Sequence, residues 1–218
     1  MKIVAMVPIK LNSERVKGKN LRSFYDGTPL IQFILNALMK SRKIEEVFVY
    51  CSDPKICEYL IDGVKFLRRP TFLDLNTSNC NDIIREFIKE VDADHYVVSH
   101  ATAPFTKPET IDKCIDSVIS AEFDSAFTVT RIQNFLWKDG HPLNFDLNRF
   151  PRTQELSPIY METSGVFVFS KSVFEKYDRR VGINPCLVET SLIESFDIDT
   201  EDDLKIAQAI YKWEVERS

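Results

Sequence analysis

KIVAMVPIKLNSERVKGKN, residues 2–20, joins a short apolar run to a polar, positively charged segment. Residues 2–9 read as a first strand. Residues 10–20 carry Lys10, Arg15, Lys17 and Lys19 against one acid, Glu14, with a single glycine at Gly18. Further along, β-branched runs at 46–51, 64–69 and 95–100 alternate with amphipathic stretches at 29–41, 53–62 and 81–91. Alternating strands and crossover helices predict an α/β fold with a mostly parallel sheet between helical layers. Pro108 opens another helix, where its missing amide costs nothing. In such a sheet, ligands bind beyond the carboxyl ends of the strands, and the segment after the first strand is the usual phosphate contact.

After Phe127 the rhythm breaks. Residues 131–158 read as an inserted arm of loops and short strands, of a length that is usually functional or used for oligomerisation. Regular structure returns with a strand at 164–170, a strand at 192–199 running to the sheet edge, and a closing helix at 200–216. One domain, 1–218, with an arm is the expected organisation.

The 218 residues are 44% hydrophobic and 28% charged, an ordinary globular composition. A formal net charge of −5 argues against a generic nucleic-acid binder. Five dispersed cysteines without a C-x-x-C pair read as reduced thiols. The apolar stretch at the start is short for a signal peptide, and no run approaches the roughly 18 apolar residues of a membrane span. A cytoplasmic location is the expectation.

Three stretches suit chemistry. In the first, Lys10 and Lys19 can approach a triphosphate from two sides, although lysines in polar loops are as often simply solvated. The loop is neither G-x-x-x-x-G-K-[ST] nor G-x-G-x-x-G, so neither a P-loop nor a dinucleotide site is supported. The second is FDIDTEDDL, 196–204, within a span from Glu194 to Asp203 that holds six acids and no base. Asp197 and Asp199, two apart, suit Mg²⁺, which takes one or two carboxylates and completes its shell with water and phosphate. A capping box, Thr200 with Asp203, explains the later acids but not Asp197 inside an apolar run. The third is FLRRPTFLDLNTSNCND, 66–82, where Arg69, Thr77 and the start of a helix can meet a nucleobase or phosphate, or where the polar run simply caps the helix.

Taken in order, these stretches resemble the acylneuraminate cytidylyltransferases, the CMP-sialic acid synthetase group that includes enzymes for pseudaminic and legionaminic acids. The group's A-R-x-x-S-x-x-x-x-x-K-N is matched at 9–20 through Ser13, Lys19 and Asn20. Its L-R-P-x-x-L-x-x-D-T corresponds to RRPTFLDLNT, 68–77, and its P-T-S-P-L-R to ATAPFT, 101–106. Its P-R-x-Q-x-L recurs as PRTQEL, 151–156, and its I-D-I-D-T-x-x-D-L as FDIDTEDDL.

The resemblance implies a nucleotide-diphospho-sugar-transferase-like, Rossmann-like three-layer fold. It also implies Mg²⁺-dependent transfer of CMP from CTP to the anomeric hydroxyl of a 2-keto sugar acid, with pyrophosphate released. By similarity, Asp197 and Asp199 bind the metal. Lys10, Asn12, Ser13, Lys19, Asn20, Arg69, Thr77 and Cys80 belong to the nucleotide, with Lys10, Lys19 and Asp199 closest to the chemistry. His100, Thr102, Arg152 and Ser164 belong to the acceptor, Arg152 facing its carboxylate. The arm at 131–158 corresponds to the family's dimerisation element, so a homodimer is implied.

Departures cluster toward the acceptor side. Lys10 stands for the family's loop arginine, His100 for a glutamine, Thr106 for an arginine and Ser164 for an asparagine. They point to an acceptor other than ordinary N-acetylneuraminate. They also leave open transfer to a phosphonate, use of GTP, or an idle nucleotide-binding scaffold. His100 suits deprotonation of the attacking hydroxyl, but the plainer reading, which the sequence favours, is a hydrogen-bonded histidine at a strand end.

Overall fold

The computed structural model describes residues 1–11 and 18–216. β1 (Ile3–Ile9), β2 (Glu46–Cys51), β3 (Lys65–Arg68) and β4 (His95–Val98) pair in parallel, in the order β3-β2-β1-β4. β5 (Ser125–Ile132) leads into a hairpin of β6 (Trp137–Lys138) and β7 (His141–Pro142), which forms a separate two-stranded sheet. β8 (Ile159–Ser170) then runs antiparallel between β4 and β5, and β9 (Pro185–Glu189) lies parallel to β5 at the edge. The main sheet therefore reads β3-β2-β1-β4-β8-β5-β9, with β8 alone reversed.

Because side chains alternate across a strand, β1 sends Ala5 and Val7 to one face and Val4 and Met6 to the other. Both faces are covered, so the strand reads as a continuous apolar run. α1 (Leu30–Lys40) and α3 (Pro108–Ile119) bury Ile31, Ile34, Leu35, Ile111 and Ile115 on the first face. α2 (Cys80–Glu90) and α4 (Lys171–Tyr177) bury Ile84, Phe87, Val173 and Phe174 on the second. The result is the expected three-layer α/β architecture. α5 (Glu201–Val215) closes a third cluster, packing Leu204 and Ala207 with Phe24, Leu30, Phe105 and Ile198.

The structure corrects two of the predicted elements. Residues 53–62, expected as an α-helix, form a 3₁₀ turn at Pro54–Tyr59, held at its start by Asp53 accepting from the Lys55 amide at 2.9 Å. The short path from β2 to Gly63, whose φ is 85°, suits the tighter helix. Residues 192–199 are not a strand. The Ser195 amide donates to Ser191 O and the Phe196 amide to Ile193 O, so the segment turns on itself. Its apolar Ile193, Phe196 and Ile198 pack beside α5 instead of in the sheet, and the edge position falls to β9.

Candidate active site

Strand order reverses between β1 and β4, so the crevice at their carboxyl ends is framed by the segment after β1 and by residues 99–107 after β4. The corrected segment 197–199 enters this crevice. The Ile198 amide donates to Thr102 O at 2.9 Å, while Lys19 Nζ donates to Ile198 O at 2.6 Å and to Asp199 Oδ1 at 3.3 Å. Lys19 is only 8% exposed. Its ammonium is thus held between two parts of the chain that the sequence separates by 179 residues. Ile198 points into the α5 cluster and is fully buried, whereas the flanking Asp197 and Asp199 are half-buried.

The acidic pair is fixed from below. Asp203 Oδ2 accepts from the Asp199 amide at 3.0 Å and the Thr200 amide at 2.7 Å, while Thr200 Oγ1 accepts from the Asp203 amide. The capping box read from the sequence is therefore present, and it also aligns Asp199. Asp197 Oδ2 accepts from Ser164 Oγ at 2.9 Å, while Asp197 Oδ1 is buried without a hydrogen-bond partner among the described residues. A buried carboxylate oxygen left in that condition is costly unless something binds it. Among the described residues no three His, Cys, Asp or Glu side chains gather at a metal site. Two carboxylates nevertheless fit a hard divalent cation whose other ligands are water or substrate oxygens.

Ser164 reaches Asp197 because β8 bulges. Phe127 pairs with Phe167, but Val129 pairs with Glu162, so residues 163–166 loop out opposite Thr128. The bulge is pinned by hydroxyls. Thr163 Oγ1 donates to Thr128 Oγ1 at 2.7 Å, and the Val166 amide donates to Thr128 Oγ1 at 3.0 Å. Gly165 is required there, because a Cβ would sit 2.9 Å from Thr128 Oγ1 and 3.2 Å from Thr106 Oγ1. A glycine inside a strand marks such a bulge. The same turn of chain presents the Ser164 carbonyl to His100, whose Nδ1 lies 3.0 Å away.

Toward β2 and β3 the crevice has a different character. Lys10 Nζ donates to Asn76 Oδ1 at 3.0 Å, so it faces the polar run before α2 and not the acidic pair. Asn20 Nδ2 donates to Lys10 O at 3.3 Å, and Thr77 is exposed. Arg69, 2% exposed, lies under this loop in an ion pair with Asp74, which also accepts from Ser52 Oγ. The helix cap is Asn79, which accepts from the amides of Asn81 and Asp82 and completes a capping box with Asp82. Asn12 and Ser13 lie outside the described residues.

The sequence profile described as cytidylyltransferase matches residues 4–216, almost the whole chain. The chain belongs to the cytidylyltransferase family. It is 26% identical over 216 residues to N-acylneuraminate cytidylyltransferase A of Danio rerio, covering 94% of this chain but spanning only 50% of that relative. It is also 26% identical over 239 residues to the CMP-N,N'-diacetyllegionaminic acid synthase of Legionella pneumophila, covering 96% of each. In fold it is similar to a CMP:2-keto-3-deoxy-manno-octonic acid synthetase solved with CTP, with a TM-score of 0.77 at 19% identity, covering 98% of this chain and 100% of that one.

Against that family background, Arg152 stands apart from the crevice residues in its environment. Its side chain is 81% exposed and pairs with Glu155 three residues on. Around it the arm exposes Trp137, Leu143, Leu147 and Phe150, while Phe135, Phe145 and Phe150 pack ring to ring. Sequence reasoning missed Arg180. Its guanidinium carbon lies 3.4 Å from the centre of the Phe167 ring, Nη1 donates to Cys80 Sγ at 3.2 Å, and Nη2 pairs with Glu162 at 3.0 Å. Nothing in the spacing of YDRRVGIN announces that an arginine there comes to lie beside α2.

Proposed function

We propose that this chain is a nucleotidyltransferase that moves CMP from CTP to the anomeric hydroxyl of a sialic-acid-like 2-keto sugar acid and releases pyrophosphate. One observation carries this reading: Lys19 meets Ile198 O and Asp199 at the switch point of the sheet, where phosphates belong. Family membership and likeness to sugar-acid cytidylyltransferases support it. Asp197 and Asp199 would hold Mg²⁺. When bound, the ion supplies charge neutralisation to the phosphates and orients them for in-line displacement.

The chain's own residues do the rest. Lys19 shifts part of its charge from Asp199 to the triphosphate, and Lys10 approaches from the other wall beside Asn76. Asn20, Thr77 and the α2 start frame the nucleoside. Arg69 serves this role indirectly, by holding the turn through Asp74. His100, Thr102 and Ser164 face the acceptor. Thr106 is buried and donates to Ala103 O at 3.1 Å, so the cation that the family carries there is replaced by a structural hydroxyl. That loss favours an acceptor with a different anionic or N-acyl pattern from N-acetylneuraminate. The exposed apolar arm supports a homodimer in which Arg152 reaches a partner's acceptor. Among the described residues no helix is long and apolar enough to cross a membrane.

The test is pyrophosphate release with each of the four nucleoside triphosphates against a panel of sugar acids and phosphonates, with and without Mg²⁺. Release that requires CTP, Mg²⁺ and a 2-keto sugar acid is expected. Tight CTP binding with no turnover on any acceptor would leave only the scaffold reading.

A further inference from the structure

We infer that His100 is the general base of the acceptor half-site, with Ser164 as the residue that positions it against the acidic pair. The inference rests on the transfer reaction proposed above. His100 lies two residues past β4, at the carboxyl end of the strand next to β1 where the sheet order reverses. Its Nδ1 faces the Ser164 carbonyl at 3.0 Å. A carbonyl oxygen only accepts, so the proton sits on Nδ1, and Nε2 carries the free lone pair. The hydrogen bond that makes this a well-satisfied strand-end histidine also makes it the tautomer a base requires.

Ser164 has two duties in one residue. Its carbonyl orients His100, while its hydroxyl, through Oγ at 2.9 Å, holds Asp197 Oδ2. The bulge pinned by Thr128 and Thr163 therefore sets the proton acceptor and a phosphate-side carboxylate in one rigid frame. Phe167 meets the imidazole edge-on at 6.3 Å between ring centres. Charged groups bear on the ring from two other elements: Arg180, from the α4–β9 connection and paired with Glu162, and Asp197. Burial is the largest influence and keeps the imidazole below its usual pKa of 6.5; Arg180 adds to this, while the Ser164 carbonyl and Asp197 oppose it. At neutral pH the ring is the uncharged base.

In the step itself, the acceptor's anomeric O–H breaks and its proton passes to Nε2. The oxygen forms its new bond to the α-phosphorus. The bond from that phosphorus to the bridging oxygen breaks, and pyrophosphate leaves with the electron pair. The proton returns to solvent from the imidazolium.

The experiment uses the full chain with CTP, Mg²⁺ and the best acceptor from the panel. H100Q retains an amide donor for the Ser164 carbonyl but has no base. It is expected to lower kcat about 10²–10⁴-fold and to abolish the acid limb of the kcat–pH profile, with CTP affinity unchanged. Wild-type turnover with an H100Q profile that keeps the acid limb and the rate would overturn the base and leave the transfer reaction standing. Absence of wild-type turnover on every acceptor would remove both. If H100Q melts, NMR titration of His100 in the substrate-free wild type decides the matter, since a base requires its pKa to coincide with the acid limb of the kcat/KM profile and any other value overturns the assignment.

Discussion

The two halves of the sheet are built on different terms. On one side, β3-β2-β1-β4 is a run of parallel strands whose pairing is in register throughout. On the other, β5 leads through a long arm into β8, which reverses direction and bulges at 163–166, and β9 closes the edge after α4. The regular half carries the segment after β1 and the start of α2, where nucleotides are held in folds of this kind. The irregular half supplies Ser164, faces His100 and lies beside Arg180. If the function proposed above holds, a scaffold whose nucleotide end is regular and whose acceptor end is built from a bulge, turns and an arm can change acceptors without disturbing the rest.

The sharpest way to break this division is at the seam. Asp197→Asn with Asp199→Asn should cut pyrophosphate release on the order of 10³-fold, equivalent to several kcal/mol of lost transition-state stabilisation, while the melting temperature stays within a few degrees. A large loss of stability would mean the pair is structural. Phe87→Ala, on α2 against Tyr50 and Tyr96, should cost about 3–5 kcal/mol in urea unfolding. It should leave the acceptor preference of the remaining folded enzyme unchanged. Gly165→Val should cost less, about 1–3 kcal/mol from overpacking against Thr128 and Thr106, yet raise the acceptor KM more than Phe87→Ala does. If the two variants affect acceptor KM equally, the halves are not independent.

The smallest effect concerns pH. Burial holds both His95 and His100 below 6.5, so the fold favours their neutral forms. The unfolded chain takes up protons first as pH falls through about 6.5. Stability should therefore be full above that value and decline below it, until the folded-state pKa values are passed. Urea midpoints at pH 7.5 and 5.5 should show the decline, and replacing both histidines by glutamine should flatten it.

The same division separates what was legible in the sequence. β1, β2 and β4 announce themselves, because strands covered on both faces are continuous apolar runs. Edge strand β3 shows only a short apolar pair, Phe66 and Leu67, between charges, and the helices α1, α2 and α3 carry one-sided stripes. The meeting of Lys19 with FDIDT was legible only as chemistry, through a basic loop and an acidic pair that make sense together. The irregular half and the segment that enters the crevice resisted. Ile198 sits in a run that reads as a strand by composition, yet its burial comes from α5, not from ladder pairing. The bulge was signalled by Gly165 alone, since the Thr128 hydroxyl that holds it lies on another strand. Arg180 depends entirely on where α4 and β9 leave their connection.

The Lys19–Ile198 contact also bears on how the chain acquires its site. A contact across 179 residues closes a very long loop, and long closures come late because their entropy has to be met before the contact contributes. A polypeptide still emerging from the ribosome can pair β1 through β4 and pack α1, α2 and α3 around them. It has no acidic pair until α5 docks Leu204 and Ala207 onto the Phe24 cluster. On the function proposed above, the site is thus completed late in folding, when α5 docks and brings the acidic pair to the crevice.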